Sequence, residues 1–280
     1  MGAAPAPLET PTFRWPWGRR TYVMGILNVT PDSFSGDGLA GQALPAVVER
    51  ARAMVAAGAD AIDVGGESTR PGHRPVGVDE ELRRVVPVVA ALAEALPVPV
   101  SVDTEKAAVA EAALRAGARV VNDVRGLTAD PEMATVVAAA GAPVVIMHDR
   151  KVERAERLIP DVARELSARI DRALAAGIAW ERIIVDPGFG FGKTAALNLE
   201  LLRRLRELTA LGRPILVGTS RKGTIGQVLG AGPADRLEGT AATVALAIAN
   251  GADLVRVHDV APMVRVARMA DAVVRGWSPG

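Results

Sequence analysis

Short apolar runs rich in Val and Ile recur along the chain, and most of them follow an alanine-rich helical segment that ends at a glycine. Clear examples are AAGADAIDV around Gly58, RAGARVVND around Gly117 and ANGADLVRV around Gly251. A glycine after a helix adopts the left-handed conformation that ends the helix without a Cβ penalty. Because the apolar runs are continuous rather than alternating, they are typical of parallel strands buried on both faces.

Eight such runs predict eight strands, each followed by a helical segment. They span residues 22–28, 61–64, 99–102, 120–122, 143–147, 183–185, 215–217 and 254–257. Eight strand–helix units in succession favour a (βα)8 TIM barrel of the α/β class, with an open doubly wound sheet as the alternative. We predict a single barrel domain over residues 21–280. Residues 1–20 are expected to form an irregular or hairpin-like segment whose Trp15 and Trp17 cover the bottom of the barrel.

The predicted connections differ in length at the two ends of the barrel. Helix-to-strand connections are short, whereas the strand-to-helix segments 30–43, 65–78 and 218–237 are long and rich in glycine, proline and charge. Barrel enzymes carry their active sites on such loops, at the C-terminal ends of the strands. The loop lengths therefore predict an active site at that face.

Composition and charge narrow the choice of partners. The 33 lysines and arginines nearly balance the 32 aspartates and glutamates, so the net charge of +1 does not predict nucleic acid or an acidic membrane surface as a partner. With no cysteine and three scattered histidines, the sequence excludes disulfides, thiol catalysis and a local zinc motif. Since it has neither a long apolar run nor a secretory signal, we expect no membrane partner and a cytoplasmic location.

Polar side chains end nearly every predicted strand. They are Asn28, Asp63, Asp103, Asn122, His148, Asp186, Arg256 and His258, with Lys222 in the loop after the seventh strand. A single one of these residues has a structural explanation, such as a helix cap for Asp103 or Asp186. A full set at one face does not, because unpaired polar groups cost free energy when they are desolvated.

These polar groups divide by charge into two sets. Acceptors with one amide donor are offered by Asp103, Asn122 and Asp186, and they suit a flat heterocycle that carries amino and ring N–H groups. Positive charge and N–H donors suited to phosphate or carboxylate are offered by Arg70, Arg256, His258 and, as a further candidate, Arg221. Asn28 suits a Mg2+ ion that mainly binds phosphate oxygens. We therefore predict a ring-binding side and an anion-binding side at one rim.

Three glycine-rich segments need separate interpretation. GDGLAG from Gly36 fits a dinucleotide pattern, but it lies too far after its strand for the tight turn that this pattern requires. GFGFGKT from Gly188 lacks the first Walker glycine, and we interpret it as a flexible loop that presents Phe189 and Phe191 beside Asp186. GTSRKG from Gly218 is rich in donors, which favours an anion site over a solvated turn.

The segments that end the predicted strands resemble those of dihydropteroate synthases. They are MGILNVTPDSFS from Met24, IDVGGESTRPG from Ile62, SVDT from Ser101, VNDV from Val121, DPGFGFGK from Asp186, GTSRK from Gly218 and RVHDV from Arg256. They occur in family order from about Thr21 to the C-terminus, and the first two are highly specific. The resemblance implies a (βα)8 homodimer and a transferase of folate biosynthesis. Such an enzyme joins a pterin methyl diphosphate to p-aminobenzoate and releases pyrophosphate.

The resemblance also implies a role for individual residues. The pterin would be held by Asp103, Asn122, Asp186 and Lys222, with Met147 on its face. The pyrophosphate would contact Arg70, Arg256 and His258, and Mg2+ would contact Asn28. The p-aminobenzoate pocket would be lined by Thr69, Pro71, Phe189, Ser220 and Arg221. Further candidates near the site are Asp32, Ser33, Phe34 and Asp63.

Two segments depart from the family pattern. Phe34 is followed by SGDG, which shifts the loop acid by one position, and the charged run 149–154 replaces a small, uncharged one. Two alternative functions would also use Asp103, Asn122 and Asp186. One is that of a pterin-binding methyltransferase, which the STRP segment from Ser68 and the SRK segment from Ser220 disfavour. The other is that of a catalytically silent pterin-binding paralogue.

Overall fold

The computed structural model describes residues 5–29, 44–67 and 75–277. The strands within these ranges are β1 (Leu8–Glu9), β2 (Arg14–Trp15), β3 (Tyr22–Asn28), β4 (Ala61–Gly65), β5 (Val100–Asp103), β6 (Val120–Asp123), β7 (Val144–Met147), β8 (Ile183–Asp186), β9 (Leu216–Val217) and β10 (Leu254–Val257). The α-helices are α1 (Leu44–Ala56), α2 (Val78–Ala95), α3 (Ala107–Arg115), α4 (Met133–Ala140), α5 (Leu158–Ala175), α6 (Ala195–Arg203), α7 (Gly223–Leu229), α8 (Leu237–Ala249) and α9 (Val260–Arg275).

Strands β3 to β10 form one eight-stranded sheet in the order β8-β7-β6-β5-β4-β3-β10-β9. Every pairing between neighbours in this sheet is parallel. A parallel bridge between Val185 on β8 and Ile215 beside β9 joins the two outer strands. Because this bridge brings the edges together, the sheet closes into a barrel, which confirms the (βα)8 prediction over the open sheet.

The barrel strands separate two apolar layers. All residues of β4 to β8 are buried, as the continuous apolar runs predict. Outward side chains such as Val64, Val102 and Val185 pack in a layer under the helices. Inward side chains such as Ala61 and Ile184 form a smaller cluster inside the barrel. The core is therefore continuous around the sheet and filled along the barrel axis.

The N-terminal segment folds as a hairpin of β1 and β2. Trp15 and Trp17 are 3% and 4% exposed and belong to the cluster inside the barrel, together with Tyr22 at the start of β3. The ring centroids of Trp15 and Tyr22 lie 5.3 Å apart, and those of Trp15 and Trp17 lie 5.6 Å apart. The two tryptophans thus cover the barrel bottom, as predicted.

Several element boundaries differ from the sequence-based expectation. Strands β4, β5, β6 and β8 each end one residue later, at Gly65, Asp103, Asp123 and Asp186, because that residue still pairs with the neighbouring strand. The segment 218–237 is not a loop throughout, since it contains α7. Within the described ranges, no helix combines the length and apolar character needed to cross a membrane.

Candidate active site

The inward positions of the barrel strands become polar at their C-terminal ends. On β4, Ile62 and Val64 lie in the layer under the helices, so Asp63 between them points into the barrel. The same alternation turns inward the polar residues at the ends of four other strands, which are Asp103, Asn122, Asp186 and Arg256. These side chains therefore meet above the apolar cluster that contains the tryptophans.

Asp63 is the centre of a buried polar network. Its Oδ2 accepts hydrogen bonds from Asn122 Nδ2 at 3.0 Å and from Arg256 Nε at 2.6 Å. Arg256 Nη2 donates to Asp103 Oδ2 at 2.6 Å. The Asp63 side chain is 0% exposed and that of Arg256 is 19% exposed, so water screens these pairs much less than surface pairs. Residues from β4, β5, β6 and β10 are thus held in place by one another.

Two carboxylate oxygens of this network remain available. Oδ1 of Asp63 and Oδ1 of Asp103 are buried and have no hydrogen-bond partner among the described residues. Burial raises the pKa of Asp103 to about 7, although the positive charge of Arg256 lowers it, and Asp63 adds to the increase. A buried acceptor without a partner costs about 1–3 kcal/mol, so these oxygens favour a ligand that brings N–H groups.

Asp186 ends β8 opposite Met147, which ends β7. Its Oδ1 accepts a hydrogen bond from the Gly188 N–H at 2.7 Å. Burial raises the pKa of Asp186, and the Gly188 N–H together with the charges of Lys222, Lys193 and Arg256 opposes this increase. Lys222 forms the N-cap of α7. The residues expected to bind a ring therefore share one rim with the Asp63 network.

The segment after β9 faces the segment after β10. Ser220 Oγ lies 3.0 Å from His258 Nδ1, and the backbone N–H of His258 donates to Ser220 Oγ at 3.1 Å. Arg221 has a left-handed φ of 56° and donates two hydrogen bonds to the carboxylate of Asp259, at 3.0 and 2.7 Å. The Arg221 guanidinium is therefore directed toward Asp259. Among the residues of these two segments that are expected to bind substrate, Ser220 and His258 are in contact with each other.

Arg256 does not lie in a separate cationic side of the rim. Its charge groups it in the sequence with Arg70 and His258, but its guanidinium is paired with the carboxylates of Asp63 and Asp103. The reason is topological, because β10 is a neighbour of β3 and an inward side chain reaches β4 and β5 from there. The acidic and the basic groups of the rim are therefore in direct contact.

Phe189, which the resemblance places in the p-aminobenzoate pocket, lies away from the cleft at the rim. Phe189 is 1% exposed and packs in the apolar layer under the helices. Phe191 is half-buried and lines a cleft of about 110 Å³ together with Asp103 and Thr104. Lys222 Nζ lies 4.0 Å from the centroid of the Phe191 ring. The ring that faces the cleft is therefore two residues later than expected.

Two further residues of the site, Lys193 and Asp149, are not among those that the sequence predicts. Lys193 Nζ contacts His148 Nδ1 at 3.0 Å, and the charge of Lys193 lowers the pKa of Asp186. Asp149 forms ion pairs with the buried Arg169 and with Arg125, at 2.5 and 3.0 Å, and it lines the same cleft as Phe191. The departure of segment 149–154 from the family pattern was the signal for Asp149, and the lysine that follows the glycine run was the signal for Lys193.

Asn28 ends β3 and is partly exposed at the rim. A Cβ built on Gly65 would lie 3.5 Å from Asn28 Oδ1 and 3.6 Å from Asp103 Oδ2, so glycine leaves space between these two oxygens. Asp32, Ser33, Phe34, Thr69, Arg70 and Pro71 lie outside the described residues.

Comparisons with known proteins agree with this geometry. The pterin binding enzyme family matches residues 24–258. A dihydropteroate synthase from Synechocystis is 48% identical over 279 residues, which are 97% of this chain and 96% of that protein.

Solved structures give the same result. A dihydropteroate synthase from Clostridium difficile, crystallised in the presence of pteroic acid, has a TM-score of 0.89 at 50% identity and covers 93% of this chain and 99% of its own. One from Xanthomonas albilineans with 4-aminobenzoic acid has a TM-score of 0.85 at 45% identity and covers 91% of this chain and 93% of its own. Since the likeness in sequence and in structure extends over nearly the whole barrel, this chain belongs to the dihydropteroate synthase family of pterin-binding enzymes.

Proposed function

We propose that the rim of the barrel joins a pterin methyl diphosphate to p-aminobenzoate and releases pyrophosphate, which is the dihydropteroate synthase reaction of folate biosynthesis. One observation carries the proposal. Asp103, Asn122 and Asp186 converge on one space, and an Asp103 oxygen has no partner among the residues that the structure describes. Carboxylates in this arrangement suit the amino and ring N–H groups of a pterin.

The ring-binding residues orient the reacting carbon. Asp103, Asn122 and Asp186 hold the pterin by its N–H edge, Lys222 donates to a ring acceptor, and Met147 packs on a face of the ring. As the C–O bond to the diphosphate breaks, positive charge develops on the methylene group and the conjugated ring. The buried carboxylates stabilise that charge because they are fixed in a poorly solvated site.

The opposite side of the site receives the leaving group and the nucleophile. His258 and Arg70 bind the departing pyrophosphate together with Arg256, which lies where the two sides meet because it also pairs with Asp63 and Asp103. Ser220, Arg221, Thr69 and Pro71 bind p-aminobenzoate, and the Arg221 guanidinium is also paired with Asp259. Phe191 makes the aromatic contact that the resemblance implies for Phe189, because Phe191 lines the cleft. The amine of p-aminobenzoate attacks the methylene carbon and then loses a proton. We expect positioning of this amine to contribute more than a strong general base.

Mg2+ fits the corner of the rim at Asn28. The amide oxygen of Asn28 borders the space that Gly65 leaves open beside Asp103. No group of three or more His, Cys, Asp or Glu side chains suited to a metal occurs in residues 5–29, 44–67 and 75–277. A bound ion would therefore take most of its ligands from diphosphate oxygens and water, and it would neutralise charge on the leaving group.

Assembly and location are proposed on separate grounds. Leu246 on α8 is 55% exposed, and Met269 and Val273 on α9 are 65% and 74% exposed. Large apolar side chains on adjacent late helices support a homodimer through α8 and α9, which sedimentation analysis of the purified protein would test. The cytoplasm remains the proposed compartment.

Pyrophosphate release in the presence of both substrates tests the proposed function. We expect release that requires p-aminobenzoate as well as the pterin diphosphate. The substitution Asp186→Ala removes a charged acceptor of the ring, so kcat/KM should fall about 100-fold, or roughly 3 kcal/mol. A silent paralogue would bind a pterin without releasing pyrophosphate, and near-normal turnover of the Asp186 variant would place the pterin elsewhere.

A further inference from the structure

The loop after β8 is held against the end of β7 by its glycines. Gly188 has φ 71°, and a Cβ at this position would lie 1.8 Å from the backbone oxygen of His148. Further along, Val152 N donates to the Gly192 oxygen at 2.9 Å. The two segments therefore pack backbone to backbone, with no space for a side chain between them.

Lys193 closes this loop from inside. Its Nζ donates to the Gly188 oxygen at 3.1 Å and to the Phe191 oxygen at 3.0 Å, and it lies 3.0 Å from His148 Nδ1. An ammonium group has three N–H donors and no acceptor, so His148 Nδ1 accepts and the imidazole proton is on Nε2. Burial lowers the pKa of His148 to about 3, which is consistent with a neutral ring. All three donors of Lys193 are thus used.

The two ends of the loop that Lys193 bonds lie next to groups of the active site. The Gly188 N–H binds Asp186 Oδ1 at 2.7 Å, and the Phe191 ring lies under Lys222 Nζ at 4.0 Å. Asn198 secures the middle of the loop, because its Oδ1 accepts from the Gly190 N–H at 2.8 Å. A change in the loop would therefore move a carboxylate on the pterin side and an aromatic ring on the p-aminobenzoate side together.

We propose that Lys193 and His148 form a positioning pair that fixes Asp186 and Phe191 relative to each other, and so couples the pterin pocket to the p-aminobenzoate pocket. The pair acts through the loop and does not itself contact substrate. This inference rests on the proposed function for the identity of the two ligands. The contacts of Lys193 with His148 and with the loop do not depend on the identity of the ligands.

The test is the variant Lys193→Met, which keeps much of the side-chain volume and removes all three donors. Calorimetry would measure binding of 6-hydroxymethylpterin, of p-aminobenzoate in the presence of pyrophosphate, and of pyrophosphate alone. We expect Kd to rise about 10-fold for the pterin and for p-aminobenzoate, with less than about a twofold change for pyrophosphate. The matched control is Lys151→Met, since Lys151 is an exposed lysine of the neighbouring segment, paired only with Glu153 among the described residues.

A merely structural lysine would give another result. Partial unfolding would lower the number of binding sites for all three ligands equally and leave each Kd unchanged. That result, or unchanged Kd values for the pterin and p-aminobenzoate, would overturn the proposal. Should Lys193→Met fail to fold, Lys193→Gln keeps a shorter neutral donor and should raise the same two Kd values about threefold.

Turnover separates this proposal from the proposed function. A wild-type protein that binds the pterin but releases no pyrophosphate would contradict the proposed reaction and still permit the binding comparison. A wild-type protein that binds neither aromatic ligand would contradict both. Active wild-type protein together with a Lys193→Met variant of unchanged KM for both substrates would contradict the positioning pair alone.

Discussion

Arg256 lies between Asp63 and Asp103, and this pairing sets the charge of the pocket before a ligand binds. Taken alone, three buried ionised groups would be costly to remove from water, and short hydrogen bonds between them offset part of that cost. The three groups still carry one more negative than positive charge when ionised. At the scale of single residues, the pocket is therefore organised to accept donors from a ligand, and two changes test this organisation.

The first change is Asp63→Asn. The neutral amide keeps the shape of the side chain and one acceptor oxygen, but it removes the negative charge that holds Arg256 and replaces one carboxylate oxygen by an NH2 donor. We expect kcat/KM to fall about 30-fold, or roughly 2 kcal/mol, through misplacement of both partners. Steady-state kinetics would measure this loss, and circular dichroism would confirm that the variant is folded. Wild-type kcat/KM in a folded variant would contradict the role of Asp63.

The second test is the pH dependence of pterin binding. Burial raises the pKa of Asp103 to about 7, so at pH 6 most of this carboxyl is protonated and poor at accepting N–H groups. Affinity should therefore increase as the pH rises through 7, by about 10-fold between pH 6 and pH 8. Calorimetry at several pH values measures the effect. In Asp103→Asn binding should be weaker and nearly independent of pH, and equal wild-type affinity at pH 6 and 8 would exclude this titration.

The same pKa has a defined effect on stability. An Asp whose pKa is raised by folding retains a proton that the unfolded chain has already released. The contribution of Asp103 to the free energy of unfolding therefore decreases as the pH rises from about 4 to about 7, and it is constant above that window. The site is thus formed at the expense of stability at neutral pH.

At the scale of elements, the glycine loop after β8 is held in the site by hydrogen bonds. Its glycine content predicts a flexible loop. In the structure, Gly188, Gly190 and Gly192 all have positive φ, and Lys193 and Asn198 bind the loop from within. Glycine is needed here for close approach of two backbones rather than for mobility.

The substitution Gly188→Ala tests this close packing. Its Cβ would collide with the His148 backbone oxygen and would adopt a left-handed conformation. We expect the free energy of unfolding to fall by at least about 3 kcal/mol. Urea denaturation would measure the change. Gly232→Ala is the control, because Gly232 has no positive φ and no atom within 4 Å of an added Cβ, and it should remain within about 0.5 kcal/mol of wild type.

At the scale of the whole molecule, the barrel divides its ends between stability and chemistry. Trp15 and Trp17 fill the bottom, whereas the polar network occupies the top. Apolar residues of the strands, such as Val120 and Ile184, lie between the two ends. This separation predicts that large losses of packing at the bottom leave substrate binding unchanged.

Trp15→Ala tests the separation. Removing a buried tryptophan should lower the free energy of unfolding by about 3–5 kcal/mol, while KM for both substrates stays at the wild-type value below the unfolding transition. Thermal denaturation and steady-state kinetics measure the two effects. Arg14→Ala, which removes an exposed ion pair with Glu9, should change stability by less than about 1 kcal/mol. A raised KM in the Trp15 variant would indicate coupling between the two ends.

The sequence by itself determined the barrel and the composition of its rim. Continuous apolar runs locate buried parallel strands, and a polar residue at the end of a parallel strand reaches the shared C-terminal face whatever the details of packing. For this reason the strand positions, the tryptophan-covered bottom and the convergence of Asp103, Asn122 and Asp186 were all predictable.

Only the tertiary structure decided which of these groups are in contact. Arg256 pairs with Asp63 and Asp103, which are 193 and 153 residues away in the chain, and local sequence carries no signal for such distant pairs. The choice between Phe189 and Phe191 depends on the positive φ of Gly188 and Gly190, which direct one ring into the core and leave the other at the cleft. Hydrophobic periodicity specifies where a strand lies, whereas the direction of a side chain in a turn and its partner across the barrel are set by packing in three dimensions.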